Sequence, residues 1–356
     1  MHISDLVIAE LKLTDAKENQ PYVTANGVTC VELEANEGNY RVHLVRDNMY
    51  QKMVLEEGSK LAAFYDSRFW NEAVKATNIH IPCARFETAF QVVDADQRHA
   101  AFITKFQKGK SLITLEMEQL EQVAVEIARI QTIQSENIRK EFDTAVKENY
   151  SNIRSFRNSI QFDLVDVMEQ ALKTEVVKYF TTPTTVLANI KTLARHVFVT
   201  TPDEDEDVPK VFTHGKLTPD CLRFDDDGKL VEITDWENIH LGNPAEDLTS
   251  LILTSADPDI RRNKFMRVFQ FFYYALADIH PPKYQLSDLK RWFRENHTRI
   301  VVDEMEALLI LLAEEGVPEE KKIQYTRRWE TSLNDAVDFL TDNYHSDNEQ
   351  AYFSHK

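Results

Sequence analysis

The chain has 356 residues, of which 43% are hydrophobic, so it carries enough apolar side chain for one large core or two moderate ones. Its formal net charge of −18 repels phosphate backbones and anionic lipid, which argues against nucleic acid and membrane partners. The three cysteines form no Cys-x-x-Cys pair, so neither a disulfide framework nor a structural zinc site is indicated.

The N-terminal segment and the most apolar segments predict a cytoplasmic protein without a membrane span. The first ten residues lack a basic stretch and include acidic residues, unlike a secretory signal. The runs Phe265 to Ala277 and Ala307 to Ala313 are interrupted or too short to cross a bilayer. We interpret both runs as faces of core helices.

The first third of the chain predicts a small mixed β-sheet with one inserted helix. Tyr22 to Leu33 and Tyr40 to Arg46 are rich in Val, Thr and Tyr and flank a turn-forming segment, which favours a β-hairpin. Ser67 to Thr77 has its apolar residues at helical spacing. Cys83 to Val93 and Ala100 to Phe106 predict a second pair of strands around a polar turn.

The remainder of the chain predicts a mainly helical region. A long amphipathic helix is expected from Met117 onward, because apolar residues recur there at helical spacing with charges between them. Val211 to Ile233 is the exception, since its short apolar runs and Asp-rich turn predict three strands. The acidic run Asp203 to Asp207 is interpreted as a solvated loop, because consecutive carboxylates cannot all face one metal ion.

The segment Val211 to Leu251 contains H-G-K-L, then I-T-D-W-E, and then G-N-P-A-E-D-L. In order and spacing these motifs resemble the choline- and ecdysteroid-kinase-like family of animals, within the aminoglycoside-phosphotransferase and protein-kinase-like superfamily. The resemblance implies an α+β, bilobal, protein-kinase-like fold. Its small lobe would span 1–107 and its mainly helical lobe 108–356, with the catalytic-loop region at 211–251. The matching residues are His214, Gly215, Leu217, Asp235, Trp236, Glu237, Gly242, Pro244, Asp247 and Leu248.

The resemblance implies ATP and magnesium as cofactors, yet two catalytic positions are altered. The family places a catalytic Asp, which accepts the acceptor's proton, where this chain has Lys216. The magnesium-binding Asn position is Cys221, which leaves Asp235 as the remaining metal ligand. A charged ammonium cannot accept a proton, and a thiol is a poor ligand for magnesium. We therefore expect weak ATP binding and an impaired magnesium site.

Alternatives for this loop remain open. Asp220 is adjacent to Cys221 and would supply a metal ligand if its side chain turned inward, or the loop would shift by one residue. Lys216 is expected either to pair with Asp235 or to contact a phosphate. The resemblance assigns His214 a structural hydrogen-bonding role, and Asp247 the support of the catalytic loop.

The small lobe also departs from the family. The alternation of Val42 and Leu44 places His43 on the opposite face of its strand, at the position where the family has a phosphate-orienting Lys. Glu72 on the predicted helix matches the family's partner for that Lys, although a Glu on an amphipathic helix is ordinarily just solvated.

Three hypotheses follow. The leading one is a pseudokinase that keeps the fold without efficient phosphoryl transfer. The second is an active ATP-dependent small-molecule kinase that uses Asp220 and Asp235. The third is an interaction protein, with a protein partner, whose cleft is closed by a Lys216–Asp235 ion pair. A small-molecule ligand is expected for the first two, and the sequence does not identify it.

Overall fold

The structure is a computed structural model, and it describes residues 3–23, 29–46, 85–94, 97–132, 164–199, 208–235 and 240–340. These residues form two compact units. The first contains the described residues up to 112 together with those of 220–240, and the second contains 113–132 and those within 164–219 and 241–340. The predicted lobe boundary after residue 107 stays a prediction.

The first unit is built on a sheet that has six strands in the described residues. Their spatial order is β1–β3–β4–β6–β5, and β2 also pairs with β3. Every described pair is antiparallel. Short connections join β3 to β4 and β5 to β6, and such hairpins require antiparallel neighbours. The strands are β1 (Lys17–Glu18), β2 (Tyr22–Val23), β3 (Thr29–Ala35), β4 (Gly38–Arg46), β5 (Arg85–Asp94) and β6 (Gln97–Phe106).

The two faces of this sheet differ in chemistry because side chains alternate along each strand. Leu33, Val42 and Ile103 belong to an apolar cluster with Val7 of helix α1 (Ile3–Leu11). On the other face β3 and β4 pair residues of a different kind. There Cys30 and Glu32 lie opposite His43 and Arg41, respectively. The sheet therefore has one apolar face and one face with ionisable side chains.

A second β-hairpin belongs to the same unit. It consists of β8 (Leu222–Phe224) and β9 (Leu230–Ile233), as the alternation of apolar runs predicts. The backbone N–H of Lys110 donates to the carbonyl of Phe224 at 2.8 Å, and the N–H of Phe224 donates to the carbonyl of Lys110 at 2.9 Å. The chain that leaves β6 is therefore fastened to the hairpin.

Gly109 is required at this junction by lack of space. A Cβ atom added there would lie 2.8 Å from Cγ2 of Val231 and 2.9 Å from Cβ of Arg223. We expect Gly109→Ala to lower the free energy of unfolding by about 1–3 kcal/mol, because hairpin atoms must move. Combining it with Val231→Ala should recover about 1 kcal/mol relative to the sum of the single losses. Urea denaturation of the four proteins measures this, and strictly additive losses would contradict the close approach.

The second unit is mainly helical. A two-stranded sheet joins β7 (Val211–Thr213) to β10 (His240–Gly242). The long amphipathic helix predicted from Met117 is present as α2 (Met117–Gln131), and its buried face includes Leu120, Val123 and Ile127. Further helices among the described residues are α3 (Pro183–Val199), α4 (Glu246–Ser255), α5 (Pro258–Ile279), α6 (Leu286–Ala313) and α7 (Glu319–Leu340).

The core of this unit lies among α3, α6 and α7. Val301, Trp329 and Leu333 belong to one buried cluster there, and the Trp329 indole N–H donates to the Val301 carbonyl at 2.9 Å. The aromatic side chains of α5 are divided between core and surface, since Phe272 is fully buried whereas Tyr274 is 63% exposed. Among the described helices, none combines the length and hydropathy that a bilayer span requires.

Candidate functional site

In the second unit, one carboxylate holds two backbone N–H groups of the predicted catalytic loop. The His214 N–H donates to Oδ2 of Asp247 at 2.7 Å, and the Gly215 N–H donates to Oδ1 at 2.9 Å. Asp247 is buried in the first turn of α4, where the helix dipole favours negative charge. Gly215 has a φ of 84°, which glycine adopts without a Cβ penalty. The loop backbone is thereby fixed at two successive residues.

Residues 214–217 receive further support from the same helix. The Leu217 carbonyl accepts hydrogen bonds from Oγ of Ser250 at 3.0 Å and from Oγ1 of Thr254 at 3.4 Å. The Lys216 N–H donates to Nδ1 of the buried His214 ring at 3.4 Å. Helix α4 therefore supports the loop that carries the half-buried Lys216, and the assignment of Lys216 to the family's catalytic-base position stays a prediction.

In the first unit, Asp235 follows β9 with a strained backbone. Its φ of 62° lies in the left-handed region, which is uncommon for a residue with a Cβ and is concentrated at functional sites. The residue before it, Thr234, donates to the Cys221 carbonyl from its N–H at 2.8 Å and from Oγ1 at 3.3 Å. Burial raises the pKa of Asp235 above its ordinary value, although Arg223 and Arg41 oppose the shift. Hydrogen bonding by the side chains of Thr234 and Cys221 also opposes the shift, so Cys221 acts on the carboxyl group for which the resemblance predicts a metal-binding role.

Arg41 and Glu232 form a buried ion pair between the sheet and the hairpin. Nη1 of Arg41 lies 3.0 Å from Oε1 of Glu232, and Nη2 lies 3.3 Å from Oε2. Both side chains are 2% exposed, and Nε of Arg41 also donates to Oε1 of Glu32 at 3.2 Å. Burial opposes the charge on Arg41, but Glu232 and its other neighbours raise the Arg41 pKa overall. Burial also raises the pKa of Glu232, against the effect of Arg41.

His43 lies two residues after Arg41 on β4, so the two side chains project from the same face of the sheet. Burial, and then the positive charge of Arg41, lowers the pKa of His43 to about 3, so the ring is neutral at pH 7. Its Nδ1 lies 3.4 Å from Sγ of Cys30, and its Nε2 lies 3.3 Å from Oγ1 of Thr104. A neutral ring with both nitrogens engaged is a weak partner for phosphate.

The predicted site residues are distributed over both units. His43, Asp220, Cys221 and Asp235 belong to the first unit. His214, Lys216 and Asp247 belong to the second. The predicted pairing of Lys216 with Asp235 joins the two units and stays a prediction.

Two predicted features have no geometry in the structure. Glu72 and its helix lie outside the described residues. Within the ranges that the structure describes, no three His, Cys, Asp or Glu side chains are grouped as a metal site. The metal-ligand roles of Asp235, Asp220 and Cys221 stay predictions.

Sequence reasoning missed the Arg41–Glu232 pair. Strand alternation did place Arg41 on the face of His43, and Glu232 interrupts an apolar strand, which signals a buried acid in need of a cation. Neither signal identifies the partner, because the two residues are 191 positions apart.

A family model described as "Uncharacterized oxidoreductase dhs-27", DUF1679, matches residues 97–347, well over half of the chain. The chain belongs to the DUF1679 family. A search of the curated proteins found no match to this DUF1679 chain.

Solved structures share the fold of the DUF1679 chain at low identity. A putative aminoglycoside phosphotransferase from Ralstonia eutropha JMP134 is 13% identical with a TM-score of 0.51, covering 94% of this chain and 98% of its own. Plasmodium vivax ethanolamine kinase is 11% identical with a TM-score of 0.52, covering 94% and 86%. A spectinomycin phosphotransferase bound to ADP and spectinomycin is 12% identical with a TM-score of 0.51, covering 94% and 98%. The predicted bilobal, kinase-like α+β fold is confirmed.

Proposed function

We propose that this DUF1679 protein is a cytoplasmic pseudokinase related to the choline- and ecdysteroid-kinase-like proteins. In this proposal it keeps the small-molecule phosphotransferase fold and has lost efficient phosphoryl transfer. The observation that carries the proposal is the position of Cys221 beside Asp235: the Cys221 carbonyl accepts a hydrogen bond from the N–H of Thr234, the residue before Asp235, at 2.8 Å. The metal-binding carboxylate that the catalytic motifs retain therefore lies next to a cysteine, at the position where the family has a magnesium-binding Asn.

The donor set around Asp235 does not fit magnesium. Magnesium prefers several oxygen ligands in octahedral geometry, whereas the residue beside Asp235 at the family's Asn position is Cys221, whose side chain offers sulfur. Burial raises the Asp235 pKa, which disfavours the charged form that a cation requires. Arg41 and Arg223 add positive charge nearby, and this further opposes a divalent cation. No step of the proposed function depends on a metal.

The catalytic loop supports the same proposal. Asp247 and α4 hold residues 214–217 as a defined backbone conformation, so the loop is an intact scaffold. The residue presented at its base position is Lys216, and a charged ammonium cannot accept the acceptor's proton. Loss of catalysis without loss of the fold would keep the loop scaffold and replace the base, and both features are found in this loop.

The word oxidoreductase in the family description is not supported by this chain's residues. Dinucleotide-binding proteins use a Gly-x-Gly-x-x-Gly turn between a strand and a helix of a parallel sheet. The eight glycines of this chain include no Gly-x-Gly pair. The described strand pairs of its main sheet are antiparallel. A phosphotransferase-like function therefore has better support than a nicotinamide site.

Thermal unfolding with ATP or ADP, each with magnesium or with EDTA, tests the proposal. For the wild-type protein, any rise in Tm caused by nucleotide is expected to be the same in magnesium as in EDTA. The Lys216→Asp/Cys221→Asn variant should gain a magnesium-dependent rise in Tm of at least about 2 °C, because it regains an oxygen ligand. Lys216→Asp alone is expected to gain little.

Two outcomes would overturn the pseudokinase proposal. Strong magnesium-dependent stabilisation of the wild type, abolished by Asp220→Ala, would make Asp220 a replacement metal ligand and favour the active small-molecule kinase. Failure of all variants to respond to nucleotide would favour the interaction protein with a protein partner.

A further inference from the structure

In the Arg41–Glu232 pair, a carboxylate contacts the guanidinium in the same paired geometry in which a phosphate group would. Two guanidinium nitrogens face two carboxylate oxygens at 3.0 and 3.3 Å, and both side chains are removed from solvent. The same planar fork of N–H groups binds phosphate oxygens in pairs. A buried cation therefore engages an anion supplied by the chain itself.

The position of Arg41 relates this pair to the candidate site. Arg41 shares its strand face with His43, which the resemblance predicts at the position of the family's phosphate-orienting Lys. Arg41 also acts electrostatically on both His43 and Asp235. Because His43 is neutral, Arg41 is the stronger candidate of the two to meet a ligand's phosphates.

We propose that Glu232 is an internal substitute for phosphate that keeps Arg41 closed to ligands, and that the ligand class excluded is the diphosphate group of a nucleotide. This inference rests on the proposed kinase-like function and specifies what blocks that site. Glu232 lies on β9, only three residues before Asp235, so β9 and the two residues after it carry both the carboxylate on Arg41 and the predicted metal-binding position.

The intramolecular carboxylate has an advantage over a dissolved ligand. Glu232 is held beside Arg41 by the hairpin, so its effective concentration exceeds that of a nucleotide in solution. A diphosphate must both displace this anion and enter a closed space. Removing the carboxylate together with its side-chain volume should remove both obstacles.

Glu232→Ala tests the inference because it deletes the charge and leaves space for an oxyanion beside Arg41. Glu232→Gln is the matched control, since it removes the charge while keeping the space filled. Glu32→Ala is a second control, because Glu32 contacts Nε of Arg41 and leaves the two terminal nitrogens paired with Glu232. Titration calorimetry in EDTA with ADP, inorganic pyrophosphate or acetate separates the ligand sources.

We expect Glu232→Ala to bind ADP or pyrophosphate about ten- to a hundredfold more tightly than the wild type. The gain should be absent in Glu32→Ala and lost in Arg41→Met/Glu232→Ala. If ADP gains and pyrophosphate does not, the ligand is the nucleotide; equal gains identify a general diphosphate site. Glu232→Gln, which keeps the space filled, should gain less than Glu232→Ala. If Glu232→Ala does not fold, Glu232→Ser takes its place, because it also removes the carboxylate and most of the side-chain volume; a gain that is absent from Glu32→Ala supports the inference, and a folded Glu232→Ser variant without a gain overturns it.

Other results would overturn it. If acetate is the one ligand of the three that binds the Glu232→Ala variant, Arg41 and Glu232 form a structural ion pair and nothing more. The same conclusion follows if the folded variant gains no affinity for diphosphate. If the wild type binds diphosphate as tightly as Glu232→Ala does, the site around Arg41 is not closed in the wild type. None of these results depends on ATP turnover, so this inference and the pseudokinase proposal can fail separately.

Discussion

Wild-type ATP turnover is expected to lie at least about a hundredfold below the range of about 1 to 100 per second typical of kinases. Removal of a general base alone lowers rates by about a hundred- to ten-thousandfold. In the proposed pseudokinase, Lys216 stands at the base position and Cys221 at the position of the magnesium-binding Asn, so base and metal functions would both be impaired. ADP release with choline, ethanolamine and aminocyclitol acceptors measures the rate.

Ethanolamine kinase in the same assay serves as the positive control for turnover. Lys216→Asp alone should recover less than about tenfold, because residues of one catalytic unit act together. Lys229→Asp makes the same charge change at an exposed position in the β8–β9 turn and should leave the rate unchanged. Turnover by the wild type within the kinase range would contradict the prediction.

Asp247→Ala is expected to lower the free energy of unfolding by about 2–6 kcal/mol. The substitution removes the acceptor of two backbone hydrogen bonds, from His214 and Gly215, at 2.7 and 2.9 Å. Each buried N–H left without a partner costs about 1–3 kcal/mol. Because the loop is anchored through this carboxylate, amide hydrogen exchange at residues 214–217 should also accelerate. Urea denaturation and hydrogen exchange measure the two effects.

Asp257→Ala is the matched control for this substitution. Asp257 also accepts a hydrogen bond at a helix start, but from a single backbone N–H, that of Asp259 at 3.0 Å. Loss of such a cap costs about 1 kcal/mol. If Asp247→Ala is no more destabilising than Asp257→Ala, the carboxylate of Asp247 is not what holds the loop.

The sequence predicted those parts of the fold that have a local periodic signal. Alternation gave the strands around Tyr40 to Arg46, and the 3.6-residue period gave α2, because each pattern is set by a single buried face. Helix α1 was not predicted. It is nine residues long and packs Val7 against the sheet's apolar face. Such a short helix is stabilised mainly by tertiary packing, which a local sequence pattern does not reveal.

The candidate site was predictable where a residue's position in a motif defines it. Lys216, Cys221, Asp235 and Asp247 follow from motif spacing alone. The engagement of Asp235 by Cys221 follows from folding, since a sequence gives residue types without their distances. For the same reason His43 could be placed on the correct strand face, whereas its depressed pKa depends on burial beside Arg41.

The 191 positions between Arg41 and Glu232 have a consequence for how the protein is made. The N-terminal sheet is translated long before the hairpin that neutralises its buried cation. At about 5–20 residues per second, a ribosome needs roughly 10 to 40 s to go from one residue to the other. During that interval the ionisable face of the sheet is without its charge partner. The first unit is therefore completed late in translation, and its nascent sheet is a candidate client for chaperones.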